Sequence, residues 1–228
     1  MITQIYSMQT PEEALACVEA GADHIGVNPT AKNSGMSKDE AMAKCKAIFD
    51  AVGDRAVKVA LTIDDTPEEQ IEIIEKLHPD VLHVSGAEDD ATPEQVAAWK
   101  AKYPWLKIMQ AVPMSGPEAI ERAVAFSKFC DMLILDSVVP GVIGTGAAGI
   151  THDWAWDRAI VEQASCPVII AGGLGPDNVA DAVRAVKPWG VDSLTKTNCE
   201  KSHIGKKDID KVRAFCENAQ AAAKELGI

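Results

Sequence analysis

The chain has 228 residues, of which 47% are apolar and 25% charged, and its formal net charge is −12. That much negative charge, with no concentrated basic block, argues against a nucleic-acid or anionic-membrane surface. The apolar fraction suffices for a sizeable core, which an aromatic content of only 5% says is aliphatic.

Ile2–Tyr6 is apolar and β-branched enough to read as a strand. QTPEEAL follows it from Gln9, with Thr at a helix N-cap, Pro at the first helical position and Glu three residues after the Thr. The same start recurs in DTPEEQI from Asp65 and ATPEQV from Ala91. Further short apolar runs predict strands over His24–Val27, Val57–Ile63, Val81–Val84, Ile108–Val112, Met132–Leu135, Val168–Ala171 and Val191–Thr195. Helical patterns lie between them, near Pro11–Ala20, Ser37–Val52, Pro67–Leu77, Pro93–Tyr103, Pro117–Phe129, Asp153–Ala164, Pro176–Val186 and Lys207–Leu226.

Eight strand/helix pairs without a linker imply parallel strands, because each crossover helix returns the chain to the same edge. The expected fold is α/β, a (β/α)8 TIM barrel forming a single domain over 1–228, with a doubly wound open sheet as the alternative. Six cysteines are scattered without CxxC or zinc-type spacing, so neither a disulfide framework nor a metal is expected. The amino terminus has no basic start with a long apolar run, and no segment approaches membrane-spanning length. A cytoplasmic protein is expected. The basic cluster Lys201–Lys211, with acidic residues mixed in, reads as a solvated helix start.

Candidate chemistry gathers at strand ends. In SCPVIIAGGLGPDNVADAV, Ser165 to Val183, the pair Gly172 and Gly173 follows the seventh candidate strand and precedes a helix expected to begin near Pro176. Backbone amides and a helix N-terminus placed there would hold a phosphate without any basic patch. Asp136, a lone carboxylate ending an apolar strand, stands where barrel chemistry collects and suits acid/base work.

EEALACVEAGADHIG (Glu12–Gly26), LHVSGAE (Leu82–Glu88), LILD (Leu133–Asp136), GTGAAGITHDW (Gly144–Trp154), IAGGLGPDNV (Ile170–Val179), GVD and then GKKD (Gly190–Asp192, Gly205–Asp208) follow one another in this order. In these pieces the chain resembles the phosphoribosylanthranilate isomerase family of barrel enzymes over nearly its whole length. The resemblance implies a phosphate held by the turns with Gly172, Gly173 and the segment after Asp192, where Lys196 and Thr197 are this chain's own candidate contacts. It implies that the loop Gly144, Thr145, Gly146 closes nearby, and that Asp136 is the general acid protonating the ring oxygen of an aminoaldose before its Amadori rearrangement.

Departures from the family concern the rest of the site. The family's first strand ends in Lys-Ile-Cys-Gly, whose cysteine removes a proton from the Schiff-base intermediate; here the stretch is QIYS, with Tyr6 at the cysteine position. An unperturbed phenol, with a pKa of about 10, makes a hydrogen-bond donor or packing residue rather than a base. The family's Ser-Pro-Arg, which pairs with the anthranilate carboxylate, is replaced by Asn33-Ser34-Gly35, with Lys32 close by as a poorer substitute. Where the family has Ser-Ser-Gly after the last strand, SLTKTN offers Lys196 for a phosphate or carboxylate contact. His83 takes the place of a family glutamine and is a candidate proton shuttle, with Ser85 at a family histidine. His24 falls toward the opposite barrel end.

The expected ligand is a phosphorylated small molecule, with no cofactor, no nucleic acid and no membrane, and a homo-oligomer is left open. The leading expectation is an isomerase or related acid/base enzyme with an altered substrate, using Asp136, His83 or Tyr6, and Lys196. The alternatives are genuine phosphoribosylanthranilate isomerase activity with a replaced base, or a non-catalytic phosphometabolite-binding barrel.

Overall fold

Thr-Pro helix starts behave as their local chemistry requires. Thr10 Oγ1 accepts the Glu13 amide at 3.1 Å, and Thr66 with Glu69 and Thr92 with Gln95 form reciprocal capping boxes, as Ser37 does with Glu40. In the computed structural model, which describes residues 1–30, 35–63, 65–85, 91–138, 151–200 and 205–228, these caps launch four of the helices that alternate with strands. The order is β1 (Ile2–Ile5), α1 (Pro11–Glu19), β2 (His24–Val27), α2 (Lys38–Val52), β3 (Val57–Ile63), α3 (Pro67–Leu77), β4 (Val81–Ser85) and α4 (Pro93–Lys102). It continues with β5 (Lys107–Met114), α5 (Glu118–Phe126), β6 (Met132–Ser137), α6 (Trp154–Gln163), β7 (Val168–Ile170), α7 (Val179–Val186), β8 (Gly190–Ser193) and α8 (Ile209–Leu226).

Every strand pairs in parallel with the next, and β8 returns to β1, closing the expected barrel and excluding the open sheet. Alternation along each strand splits the apolar residues. Ile5, Ile25, Leu82, Ile108, Leu133 and Ile170 pack outward among the helices, whereas Val59, Val81, Met109, Ile134 and Ile169 fill the barrel. Each such side chain contributes about 1.5–3 kcal/mol when fully buried.

Several boundaries differ from expectation. Strand β6 runs on through Asp136 and Ser137, so the candidate acid is a strand residue fixed by a ladder. Helix α7 begins at Val179, not near Pro176, because Asn178 binds the preceding turn from both sides: its Oδ1 accepts the Gly175 amide at 2.8 Å and its Nδ2 donates to the Gly173 carbonyl at 3.1 Å. Strand β8 stops at Ser193 and a 3-10 turn, Thr195–Thr197, follows. The start of the last helix is not simply solvated: Lys207 is 2% exposed, and α8 begins after its Asp208 cap. Among the described residues no helix is long and apolar enough to cross a membrane.

Following the parallel register around the barrel sorts the inward-facing residues into levels. Gln4, Val59, Met109 and Ile169 make one level, and Gly26, His83, Ile134 and Asp192 the next. Tyr6, Leu61, Ala111 and Ala171 lie above them. Asp136, with Ser85 and Leu194, stands at the C-terminal mouth. Its polar residues Gln4, His83, Ser85, Asp136 and Asp192 come from β1, β4, β6 and β8.

Candidate active site

Because β6 alternates, Leu133 and Leu135 face the helices while Ile134 and Asp136 face the barrel. The Ser137 amide donates to Asp136 Oδ1 at 2.7 Å. Burial, and then the negative charge of Asp192, push the Asp136 carboxyl up to about 8 against the pull of that amide. It therefore holds a proton at neutral pH and can give one away.

Asp192 lies deeper. Gln4 Nε2 donates to its Oδ1 at 3.1 Å, and His24 Nδ1 in turn donates to Gln4 Oε1 at 3.1 Å, which orients the amide. Burial raises Asp192 to about 7 despite the Gln4 bond and the charge of Lys207. Where the family's pattern puts lysine at position 4 this chain has a neutral amide, so no cation on β1 holds Asp192 ionised. Sequence reasoning missed this group, although Asp192 was in view within GVD.

Tyr6 is 5% exposed and lies across Gly26, where any side chain would collide with its ring. Its hydroxyl reaches His83 Nδ1 at 2.8 Å, with the two rings edge to face. Burial, then Asp192, raise the phenol well above its ordinary value, and burial lowers His83 to about 3. The pair is thus a protonated phenol donating to a neutral imidazole, which leaves His83 Nε2 carrying its hydrogen, buried, with no partner among the described residues. His24 sits at the other end of the barrel interior, as expected, and burial lowers it to about 4.

The glycine turn has two different constraints. Gly172 and Gly173 adopt φ of +81° and +64°. At Gly172 a Cβ would collide with Ser137 Oγ and lie 3.2 Å from His152 Nδ1, so the group that excludes a side chain there belongs to the protein and is not a phosphate. Gly173 instead lines a cavity of about 790 Å³ with Gly175, Asn178, Thr195 and Lys196. Lys196 is exposed on this rim, its stem against Gly175. Thr197 does not join it: the residue is fully buried and its hydroxyl donates to the Leu194 carbonyl at 3.1 Å, so its side chain serves the turn. The turn is also tied by Lys207, whose Nζ donates to Leu194 O at 2.8 Å and Asn198 Oδ1 at 2.6 Å, and whose pKa burial lowers to about 8.

Gly144, Thr145, Gly146, Lys32 and Asn33 lie outside the described residues. Gly35 is exposed with φ of +71°. Among the described residues no group of three His, Cys, Asp or Glu side chains is placed to hold a metal ion. A second cavity, of about 640 Å³, opens at the N-terminal mouth beside Asp23, His24, Arg55 and Asp80, away from Asp136.

A closed parallel barrel, two raised carboxyls inside its C-terminal half and a glycine-lined cavity beside β7 and β8 define a (β/α)8-barrel enzyme. The pattern of the N-(5'phosphoribosyl)anthranilate (PRA) isomerase family matches residues 3–218. The N-(5'-phosphoribosyl)anthranilate isomerase of Methanocella arvoryzae is 31% identical over 219 residues, covering 95% of this chain and 97% of that one, and that of Rhodopseudomonas palustris is 32% identical with 97% of each covered. The crystal structure of phosphoribosyl anthranilate isomerase from Thermotoga maritima superposes with a TM-score of 0.80 at 25% identity, over 97% of this chain and 100% of that one. The chain belongs to the N-(5'-phosphoribosyl)anthranilate isomerase family, whose members isomerise a phosphorylated substrate.

Proposed function

We propose that the chain isomerises N-(5'-phosphoribosyl)anthranilate itself, with a carboxylate in place of the family's cysteine base. What carries this reading is the pairing of Asp136 and Asp192 inside a barrel of that family: one buried carboxyl is protonated at neutral pH, and the other titrates there beside a neutral Gln4. The leading expectation from sequence, an altered substrate, rested on two losses, that of the base at Tyr6 and that of the cation for the aryl carboxylate at Gly35. A second carboxylate answers the first of them.

In this mechanism Asp136 protonates the ring oxygen, the C1–O bond breaks, and the nitrogen lone pair closes a C1=N bond. Asp192 takes the proton from C2, the C–H electrons form C1=C2 as the C1=N π electrons return to nitrogen, and the resulting enol becomes the ketone as C1 is protonated and the C2 hydroxyl proton leaves. Tyr6 takes no proton because its phenol is already neutral and weakly acidic. His83 Nε2–H faces the interior as a donor for a substrate hydroxyl. Lys196 and the Gly173 turn bind the phosphate from the cavity beside β7 and β8. All six cysteines are free thiols, which suits a reducing cytoplasm.

Gly35 supports one other reading, an aminoaldose phosphate whose amine carries no aryl carboxylate, because glycine offers that group no cation. Complementation separates the two. The wild-type chain is expected to restore growth of a tryptophan auxotroph lacking this isomerase, and Asp136→Asn is not. Soluble protein without growth would remove the first reading and leave the second.

A further inference from the structure

Behind Asp136, three residues that the mechanism does not use make a continuous polar chain. Ser137 Oγ and His152 Nδ1 are 2.9 Å apart, and His152 Nε2 lies 2.8 Å from both oxygens of Asp157. Ser137 is 2% exposed, and the side chains of His152 and Asp157 are 6% and 0% exposed. The three come from β6, the segment entering α6, and the first turn of α6, and the left-handed Gly172 makes room where they meet. In the tautomer whose Nε2 hydrogen faces the Asp157 carboxylate, Nδ1 accepts from the Ser137 hydroxyl.

We infer that Ser137, His152 and Asp157 are positioning residues that fix the orientation of the Asp136 carboxyl through the Ser137 backbone. Ser137 links the two: its side chain is held by His152, and its amide donates to Asp136 Oδ1 at 2.7 Å. The chain thus transmits the fixed position of α6 to the last inward-facing residue of β6. Although the residue types are those of a hydrolytic triad, Ser137 is no nucleophile here. Its Oγ abuts the Gly172 backbone, which leaves no space for an incoming carbonyl.

The inference rests on Asp136 as the general acid only for its kinetic consequence, so it is tested with a readout independent of turnover. The carboxyl of Asp136 is titrated by 13C NMR in the whole protein, its resonance assigned with Asp136→Asn. Ser137→Ala cuts the chain while leaving the backbone amide. His152→Gln reaches only the Nε2 position and loses the Ser137 contact, whereas His152→Asn places its Oδ1 near the Nδ1 position, where it still accepts from the Ser137 hydroxyl. The expected result is that Ser137→Ala and His152→Gln move the Asp136 midpoint upward, as the amide that stabilises its charge loosens, and that His152→Asn lies closer to wild type. In turnover, the first two lower kcat about tenfold with little change in KM, as a misdirected group does.

An unmoved midpoint in folded Ser137→Ala and His152→Gln would overturn the inference, as would labelling of Ser137 by a fluorophosphonate. If Asp136→Asn retains full activity, the proposed reaction fails while the titration still decides the chain.

Discussion

Carboxylates at the two mouths of the barrel live under opposite regimes. At the N-terminal mouth Asp23, Asp80 and Asp131 each precede a strand and accept the amide of a residue on the neighbouring one: Thr3 at 2.8 Å, Lys58 at 2.8 Å and Ile108 at 2.9 Å. The exchange is reciprocal, since the amides of the three aspartates donate back to the carbonyls of Thr3, Lys58 and Ile108. Their charge is used on the backbone and stitches odd strands to even ones. At the C-terminal end Asp136 accepts from the Ser137 amide and Asp192 from Gln4, burial keeps water away, and both are pushed toward the protonated form. The same side chain therefore stabilises one end of the molecule and is held at a cost in the other, which is how a barrel divides stability from chemistry.

The largest expected effect is on the costly side. Asp136→Asn should lower kcat/KM by about 10²–10⁴-fold, and Asp192→Asn by a similar factor, in a steady-state assay of aminoaldose consumption. Wild-type kcat/KM should follow a narrow bell, because Asp192 must be ionised and Asp136 protonated; its maximum lies between the values of about 7 and about 8. A flat profile from pH 6 to 9 would remove the pair from the mechanism.

Stability should run the other way. A carboxyl whose folded pKa is raised binds more protons folded than unfolded, so its contribution is fully present below the unfolded value near 3.8 and is lost as pH rises through about 8. Asp136→Asn, inactive, should therefore be more stable than wild type at pH 9 and much closer to it at pH 5. Urea denaturation at the two pH values checks this.

Asp131→Ala is the mirror image. It leaves the Ile108 amide without its acceptor and breaks the 2.6 Å pair with Lys100, and should cost about 1–3 kcal/mol in urea denaturation while kcat stays within twofold of wild type. Asp80→Ala should cost less, since that side chain is 44% exposed. Loss of activity greater than loss of folded protein would contradict the division between the mouths.

What could be read in the sequence follows the range of the interactions. Thr10, Thr66 and Thr92 declared their helices because an N-cap is settled within four residues, and Asp136 stood out because it ends an apolar run. The start of α7 was misplaced because Pro176 looks like a first helical residue, while Asn178 uses both ends of its amide on the turn. Gln4 and Asp192 are 188 residues apart and become neighbours only when β8 closes on β1. Lys207 looked like one solvated cation among several, because its partners, the Leu194 carbonyl and Asn198, come from the turn that α8 later covers. The glycine pair was legible as a close approach, but nothing local said that at Gly172 the neighbour is Ser137.

A smaller effect on turnover than at either carboxylate is expected at the position that departs most visibly from the family. Tyr6→Phe removes the hydroxyl from His83 Nδ1 and keeps the ring over Gly26, so packing survives and one buried acceptor loses its donor. That should cost about 1–3 kcal/mol of stability. If Tyr6 were the base, its removal would cost the same 10²–10⁴-fold as the carboxylates; as a donor that fixes the His83 tautomer, it should lower kcat less than tenfold and leave the acid limb of the pH profile in place. The acid limb is the sharper criterion, because it belongs to whichever group takes the C2 proton. Its persistence in Tyr6→Phe assigns it to a residue other than the phenol, and Asp192, deeper in the barrel beside a neutral amide, has the burial and the titration to own it.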